Sequence, residues 1–303
     1  MSDPGQHNLH IQDIHPIPQT IYPKPTLKPT QNDPKPTIVL IHGAWHTPTH
    51  YEPYTTALKN AGFEVHCPHL PTCTGKSPPT ATFADDVSLI RQTLHSLTTA
   101  GKPILLIMHS YGGCVGTDAA QDYIYPVTTT SESPTPNPEE KHKEKGGIIH
   151  LLYLSAYILP PGSSIQTIMD KAGVNEDLWA QYMDDDEVGL TMPQDPGLWF
   201  YGGLDEGTVE RCVKGLVRFP VRVLREKTGG DVWRRCPVTY VRTERDYAVP
   251  KGFQDLMLEG VKGEGVQVRV LGFEACHSVF LTNVEEMVGV VDGIVRDWRG
   301  GGL

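Results

Sequence analysis

The chain lacks any uninterrupted apolar run of about 18 residues, the length that a membrane-spanning helix needs. It also lacks an excess of basic residues, because 26 Lys and Arg stand against 36 Asp and Glu and give a formal net charge of −10. That balance disfavours nucleic acids and anionic membranes as partners. Residues 1–31 are polar and show no basic-then-apolar secretory signal, so we expect a cytoplasmic location.

Cysteine is also scarce, and its spacing matches neither a metal site nor a small disulfide scaffold. Most cysteines adjoin apolar residues, which indicates buried free thiols. The six are Cys67, Cys73, Cys114, Cys212, Cys236 and Cys276.

What the chain does contain is a series of short apolar strands separated by helical patterns. Strand patterns lie at 37–41, 63–67, 103–108, 148–155, 237–242 and 266–271. Helical patterns lie at 49–62, at 81–99 and at 283–298. A further one begins after the strand at 103–108 and the turn that follows it, and it ends at about 123. Three segments differ from this rhythm: a proline-rich arm at 1–35, a polar insertion at 126–146 that we expect to be flexible, and the region 161–232.

The strand at 103–108 leads into His109-Ser110-Tyr111-Gly112-Gly113, a serine in a glycine-rich turn before a helix. This is the context of a nucleophile elbow, in which a sharp turn lifts the serine hydroxyl clear of the sheet. An ordinary strand-to-helix turn has a similar sequence, so the motif alone leaves both interpretations open. Met108 stands where the elbow usually has glycine. We expect its side chain to point away from the helix or to narrow the pocket floor.

Other segments supply what a serine nucleophile needs. The strand at 37–41 ends in His42-Gly43-Ala44-Trp45-His46, and a His-Gly loop of this kind donates a backbone N–H to an oxyanion hole. Asp246 follows the strand at 237–242, and His277 follows the last strand. A nucleophilic serine requires a histidine to accept its proton and an anion to orient that histidine. Glu244 is a competing acid, but Asp246 lies closer to the helix that we expect Pro250 to begin.

Together these motifs resemble the α/β-hydrolase superfamily, and most closely its branch of plant methyl esterases, hydroxynitrile lyases and their microbial relatives. The acid loop at 243–250 and the strand end at 154–160 resemble the same branch. The resemblance implies an α/β fold with a mostly parallel twisted sheet flanked by helices. The core would span 36–160 and 233–303, with a helical cap over 161–232 inserted after strand 6.

The resemblance also implies roles for individual residues. Ser110 would be the nucleophile, His277 the general base and Asp246 the orienting acid, while the backbone N–H groups of Ala44 and Tyr111 would form the oxyanion hole. The lyases of this branch carry a lysine just after the histidine, whereas this chain has Ser278, which argues against cyanohydrin cleavage.

The cap and the loops beside the serine supply candidate substrate-binding residues. Trp45, His46 and the ring of Tyr111 are expected near the serine. The cap candidates are Ile165, Ile168, Met169, Trp179, Tyr182, Met192 and Trp199, although most of them would equally form the core of the cap. Largely apolar pockets of this kind suit an uncharged hydrophobic small molecule.

The sequence therefore favours a serine hydrolase that cleaves a small to medium hydrophobic ester or lactone through an acyl-enzyme, without a metal or cofactor. Two alternatives stay open. One is a lyase, cyclase or elimination enzyme of secondary metabolism that uses His277 as its base, and the other is a small-molecule receptor. The small-molecule substrate is the expected partner, and a homodimer is left open.

Overall fold

A computed structural model describes residues 35–125 and 146–300. The predicted arm at 1–35 and the predicted insertion at 126–146 lie outside these ranges, apart from Lys35 and Gly146. In chain order the strands are β1 (Thr37–Ile41), β2 (Val65–His66), β3 (Pro103–His109), β4 (Gly147–Leu154), β5 (Met183–Asp185), β6 (Leu190–Pro193), β7 (Phe219–Pro220), β8 (Val238–Thr243) and β9 (Val268–Phe273).

The α-helices lie between and after these strands. They are α1 (Glu52–Asn60), α2 (Phe83–Thr99), α3 (Gly112–Ala119), α4 (Ile165–Lys171), α5 (Glu176–Tyr182), α6 (Pro196–Tyr201), α7 (Glu206–Gly215), α8 (Lys251–Gly263), α9 (Val279–Thr282) and α10 (Val284–Gly300). Within the two described ranges, no helix combines the length and hydropathy required to cross a membrane.

Six strands form one parallel sheet in the order β2-β1-β3-β4-β8-β9. Every residue of β1 and of β4 is buried, which explains why these segments read as continuous apolar runs rather than alternating ones. Apolar residues of α1 and α10 pack on one face, and those of α2, α3 and α8 pack on the other. The predicted α/β fold is therefore confirmed.

Local signals account for α2, the helix that packs against α3. Thr82 caps α2 by accepting a hydrogen bond from the backbone N–H of Asp85 at 3.3 Å, and Asp85 bonds back to the Thr82 backbone. Ile90 and Leu94 then recur at helical spacing and are fully buried. Pro250 differs from the prediction, because its extended ψ of 148° places it just before α8 rather than inside it.

The segment 161–232 is not purely helical. It contains α4 to α7, as expected, and also an antiparallel three-stranded sheet in the order β5-β6-β7 that the sequence analysis did not predict. These strands have two to four residues each, too few for an alternating pattern to stand out. In the described chain the segment follows the fourth strand, β4, and not a sixth. Its proposed limits at 161 and 232 stay a prediction.

Candidate active site

Ser110 occupies the sharp turn between β3 and α3. Its φ of +55° lies in the left-handed region, which is strained for a residue with a side chain. Backbone hydrogen bonds hold the turn on two sides. The Ser110 N–H donates to the Leu154 carbonyl at 3.3 Å, and the Ser110 carbonyl accepts from the N–H groups of Gly113 at 3.0 Å and Tyr157 at 3.1 Å. This geometry matches the predicted elbow.

Two glycines allow other loops to approach this turn. A Cβ atom on Gly113 would lie 2.2 Å from the carbonyl oxygen of Tyr157. A Cβ atom on Gly43 would lie 3.0 Å from the Cβ of Ser110. Glycine at both positions thus lets the His-Gly loop and the loop after β4 pack directly against the serine turn.

Met108 does not take either orientation that the sequence analysis expected. Its side chain is fully buried and points toward α3, where its sulfur would lie 2.4 Å from a Cβ atom built on Gly116. It does not line the cavity above the serine. The side chain of Met108 therefore fits because Gly116 on α3 has no side chain and leaves room for it.

The structure brings Asp246 and His277 together from two separate loops. The ring Nδ1–H of His277 donates to Oδ2 of Asp246 at 2.8 Å, and the two residues are only 1% and 6% exposed. Thr243 Oγ1 also donates to Oδ2, at 2.8 Å, while the N–H groups of Ala248 and Val249 donate to Oδ1 at 2.9 and 2.8 Å. Because Nδ1 carries the proton, Nε2 of His277 is left to accept one.

The competing acid is engaged elsewhere. Glu244 forms ion pairs with Arg242 at 2.8 Å and Lys251 at 3.4 Å, and no contact joins it to His277 in the described parts of the chain. The preference for Asp246 over Glu244 thus agrees with the observed contacts.

The ring of His277 lies beside the elbow. It packs against the ring of His109, the residue before Ser110, with 4.4 Å between centroids. Ser110 Oγ makes no hydrogen bond to His277 among the described residues. Such contacts are often long in the absence of substrate and shorten when it binds.

The two candidate oxyanion donors also lie at the serine. Ala44 and Tyr111 both line the cavity next to Ser110. Neither backbone N–H donates a hydrogen bond to another group of the described chain. Two unpaired amides beside a serine are what a developing oxyanion requires.

A cavity of about 700 Å³ opens above Ser110 and is covered by the cap. Its wall is mainly apolar and aromatic, and it includes the predicted Trp45, Ile165, Met169, Trp179, Tyr182 and Trp199. Ile168 and Met192 do not line it. In the described chain the wall contains no Lys, Arg, Glu or His, and its one charged residue, Asp195, caps α6 through the Leu198 N–H.

His46 was expected to contact substrate, and this expectation is corrected. Its side chain is fully buried and does not line the cavity. The Nδ1–H donates to the Ala44 carbonyl at 2.8 Å, and the ring packs edge-on against Phe200 with 4.9 Å between centroids. Burial lowers the pKa of His46 well below its ordinary value, so the ring is neutral. The sequence did not show that Trp45, at φ +63°, turns the chain before it.

Trp45 joins the His-Gly loop to the cap, a contact that the sequence analysis missed. Its indole N–H donates to the Thr191 carbonyl on β6 at 2.9 Å, and its own carbonyl accepts from the Val217 N–H at 2.9 Å. Its ring packs on Phe200 and Phe219, with centroids 5.7 and 5.5 Å away. The candidate oxyanion loop is therefore held from the cap side as well as from the sheet.

Asp86 was also missed as a neighbour of the site. Its carboxylate accepts hydrogen bonds from the Tyr111 hydroxyl at 2.6 Å and from the Thr72 hydroxyl at 2.6 Å. Burial raises the pKa of Asp86 to about 6. An aspartate in the first turn of a helix is common because it interacts favourably with the helix dipole, so the sequence offered no reason to predict this contact.

The folded chain and its site define a hydrolase-type architecture, and comparison with known proteins identifies its family. A model of the alpha/beta hydrolase family matches residues 38–290, and the chain belongs to that family. The superfamily inferred from the sequence motifs is thereby confirmed.

Individual relatives cover most of the chain. It is 30% identical over 247 residues to "Probable hydrolase R7" of Phoma sp., which covers 80% of this chain and 91% of that protein. It is 24% identical over 263 residues to "Alpha/beta hydrolase nvfD" of Aspergillus novofumigatus, with 85% and 95% covered. The crystal structure of a methylesterase protein, MES16 from Arabidopsis, matches with a TM-score of 0.62 at 19% identity, covering 86% and 99% of the two chains. That structural match supports the fold.

Proposed function

We propose that this protein is a serine hydrolase that cleaves an uncharged hydrophobic ester or lactone of secondary metabolism through an acyl-enzyme. The observation that carries the proposal is the buried Asp246–His277 pair, joined at 2.8 Å beside a strained Ser110 that opens into an apolar cavity. The hydrolase and methylesterase names of the relatives support the same reaction class.

Each group has a defined part in the proposed reaction. Ser110 Oγ attacks the carbonyl carbon of the ester while its proton passes to Nε2 of His277, and Asp246 stabilises the resulting imidazolium. The N–H groups of Ala44 and Tyr111 bind the tetrahedral oxyanion. His277 then protonates the leaving alkoxide, which departs as the alcohol and leaves an acyl-serine. Water, deprotonated by the same histidine, attacks the acyl-serine. The bond from the acyl carbon to Ser110 Oγ then breaks, the carboxylic acid leaves, and His277 returns the proton to Ser110 Oγ.

The cavity supports a bulky and neutral substrate. A volume of about 700 Å³ lies within the range of pockets for drug-sized ligands, roughly 300–1,000 Å³. Because no cationic side chain lines the described wall, a substrate carboxylate would lose its hydration without gaining a partner. We also propose that a small molecule is the main partner, that no cofactor is needed, and that the protein acts in the cytoplasm.

Hydrolysis of 4-nitrophenyl esters from acetate to decanoate, and of aryl lactones, tests the reaction. We expect wild-type turnover that Ser110→Ala abolishes, because the substitution removes the hydroxyl that is proposed to attack the ester. Ser88→Ala is the matched control, since Ser88 is exposed on α2 and distant in sequence from the elbow. A stoichiometric adduct with a fluorophosphonate in the wild type, absent in Ser110→Ala, would identify the acylated residue.

Two results would overturn the proposal. Turnover that persists in Ser110→Ala would indicate base-driven lyase or cyclase chemistry at His277. A folded wild-type protein that neither turns over these esters nor reacts with the fluorophosphonate would favour a receptor.

A further inference from the structure

A buried chain of hydrogen bonds runs behind the elbow and uses groups to which the proposed reaction gives no part. The Gly43 N–H donates to the hydroxyl oxygen of Tyr51 at 2.9 Å. The Tyr51 hydroxyl lies 2.6 Å from Nδ1 of His109, and Nε2 of His109 lies 3.0 Å from the carbonyl oxygen of His277. The chain thus joins the His-Gly loop, the elbow and the histidine loop.

The direction of every bond in this chain is fixed by its ends. The carbonyl of His277 only accepts, so Nε2 of His109 must carry the ring proton. A neutral ring then leaves Nδ1 as an acceptor, which the hydroxyl proton of Tyr51 fills. The oxygen of Tyr51 is free to accept from the Gly43 N–H, a group that only donates.

Burial keeps both middle groups in the states that this order requires. Tyr51 and His109 are fully buried. Burial lowers the pKa of His109 well below its ordinary value, so the ring is neutral, and it raises the pKa of Tyr51 well above its ordinary value, so the phenol keeps its proton. Tyr51 also stacks on Phe280 at 4.1 Å, which fixes its ring.

Each end of the chain adjoins a group of the proposed reaction. Gly43 immediately precedes Ala44, whose N–H is a candidate oxyanion donor. The carbonyl at the other end belongs to His277 itself, and it also accepts a longer bond, 3.4 Å, from the Ser155 hydroxyl. His109 is covalently attached to Ser110. A shift of any of these three loops relative to the others would therefore stretch the chain.

We propose that Tyr51 and His109 are positioning residues that hold the oxyanion loop and the catalytic histidine in register with Ser110 through this one-directional hydrogen-bond chain. The inference rests on the proposed hydrolase function. Neither residue lines the cavity, so neither is expected to bind substrate.

Tyr51→Phe tests the chain, with Tyr54→Phe as its matched control. The substitution removes only the hydroxyl and keeps the ring that stacks on Phe280. Tyr54 is equally buried, but its hydroxyl lies 3.5 Å from the Met287 carbonyl and takes no part in this series of hydrogen bonds. We expect Tyr51→Phe to lower kcat by roughly 10–100-fold with KM within about twofold of wild type, because positioning acts on the transition state. Tyr54→Phe should leave both constants near the wild-type values.

A second pair of variants separates hydrogen bonding from packing at position 109. His109→Gln retains one acceptor and one donor at the end of a side chain of similar reach, whereas His109→Met retains neither. We expect the Gln variant to recover a substantial part of the kcat that the Met variant loses. Equal kcat in the two variants, or an unchanged kcat in Tyr51→Phe, would overturn the proposal.

Nitrogen-15 spectra of the histidine rings test the hydrogen-bond chain without any substrate. The His109 signals, assigned by their loss in His109→Gln, should report a neutral ring protonated at Nε2, and the Nδ1 signal should move in Tyr51→Phe. A ring protonated at Nδ1 would overturn the inference. If the wild type fails to hydrolyse any ester while these spectra show the expected tautomer, the proposed function fails and the hydrogen-bond chain stands.

Discussion

The parallel sheet, whose carboxyl end carries the proposed nucleophile, and the cap that covers this end are built from different contacts. Below the serine, β1 and β4 are buried along their whole length, and backbone hydrogen bonds fix the elbow. In the cap the helices have six to ten residues, and α5 buries none of them. Tyr182 and Leu198 are 50% and 46% exposed beside the cavity.

This contrast teaches how chemistry and specificity are divided in the molecule. The proposed acyl transfer requires the serine, histidine and oxyanion donors to hold fixed positions, and a parallel sheet with buried central strands provides them. The cap contributes mainly the shape and polarity of the cavity. Trp45 is the exception, because it bonds to cap strand β6 while sitting in the oxyanion loop.

Lowering the pH should reduce the folding stability through histidines outside the cap, and we expect this to be the largest effect. Burial lowers the pKa of His42 and His150 to about 3, and lowers those of His46 and His109 well below the ordinary value. The cap segment 161–232 contains no histidine. Because the unfolded chain binds these protons near pH 6.5 and the folded chain does not, stability is lost as pH falls below 6.5.

We expect the free energy of unfolding to fall by about 5 kcal/mol between pH 7.5 and 5.5, roughly 1.4 kcal/mol for each of these histidines. Asp86 acts in the opposite sense and more weakly, since its folded pKa is raised to about 6 and its protonation favours the folded state. Urea unfolding at several pH values measures the slope, and His150→Leu should reduce it by one proton. A stability independent of pH in this range would contradict the assignment of neutral buried rings.

Glycine substitutions compare the two regions directly. Gly113→Ala would place a Cβ atom 2.2 Å from a backbone carbonyl that cannot rotate away, so we expect a loss of about 3 kcal/mol or more in unfolding free energy together with loss of activity. Gly207→Ala lies in α7 of the cap, where the nearest atom is 3.5 Å away, and should stabilise the protein by up to about 1 kcal/mol. Urea unfolding of both variants checks the pair, and similar effects at the two sites would contradict the contrast.

Methionines of the cap provide the smallest and most selective test. Met169 lines the cavity and Met192 does not. Met169→Ala should lower kcat/KM for a bulky ester by roughly 5–30-fold, because one apolar contact is worth about 1–2 kcal/mol. Turnover of 4-nitrophenyl acetate should change little. Met192→Ala should preserve the ratio of the two rates. Equal losses on both esters in Met169→Ala would indicate a structural defect rather than altered specificity.

Local sequence signals predicted much of this arrangement. The strands around β1, β3 and β4, the elbow at Ser110, and the positions of Asp246 and His277 after late strands all followed from short patterns. The failures share a cause. Met108 and His46 were misplaced because their orientation depends on Gly116 and on the φ of Trp45, which no pattern at their own positions records.

The sequence by itself determined a parallel α/β sheet, a serine in a strained turn, and an acid and a histidine in loops at the same sheet edge, because strand periodicity and turn composition are local properties of the chain. Only the tertiary structure decided the 2.8 Å pairing of Asp246 with His277, the path from Gly43 through Tyr51 and His109, and the bond from Trp45 to the cap. Except for the bond from Gly43 to Tyr51, these contacts join residues far apart in the chain, and the geometry of all of them is set by how whole elements pack.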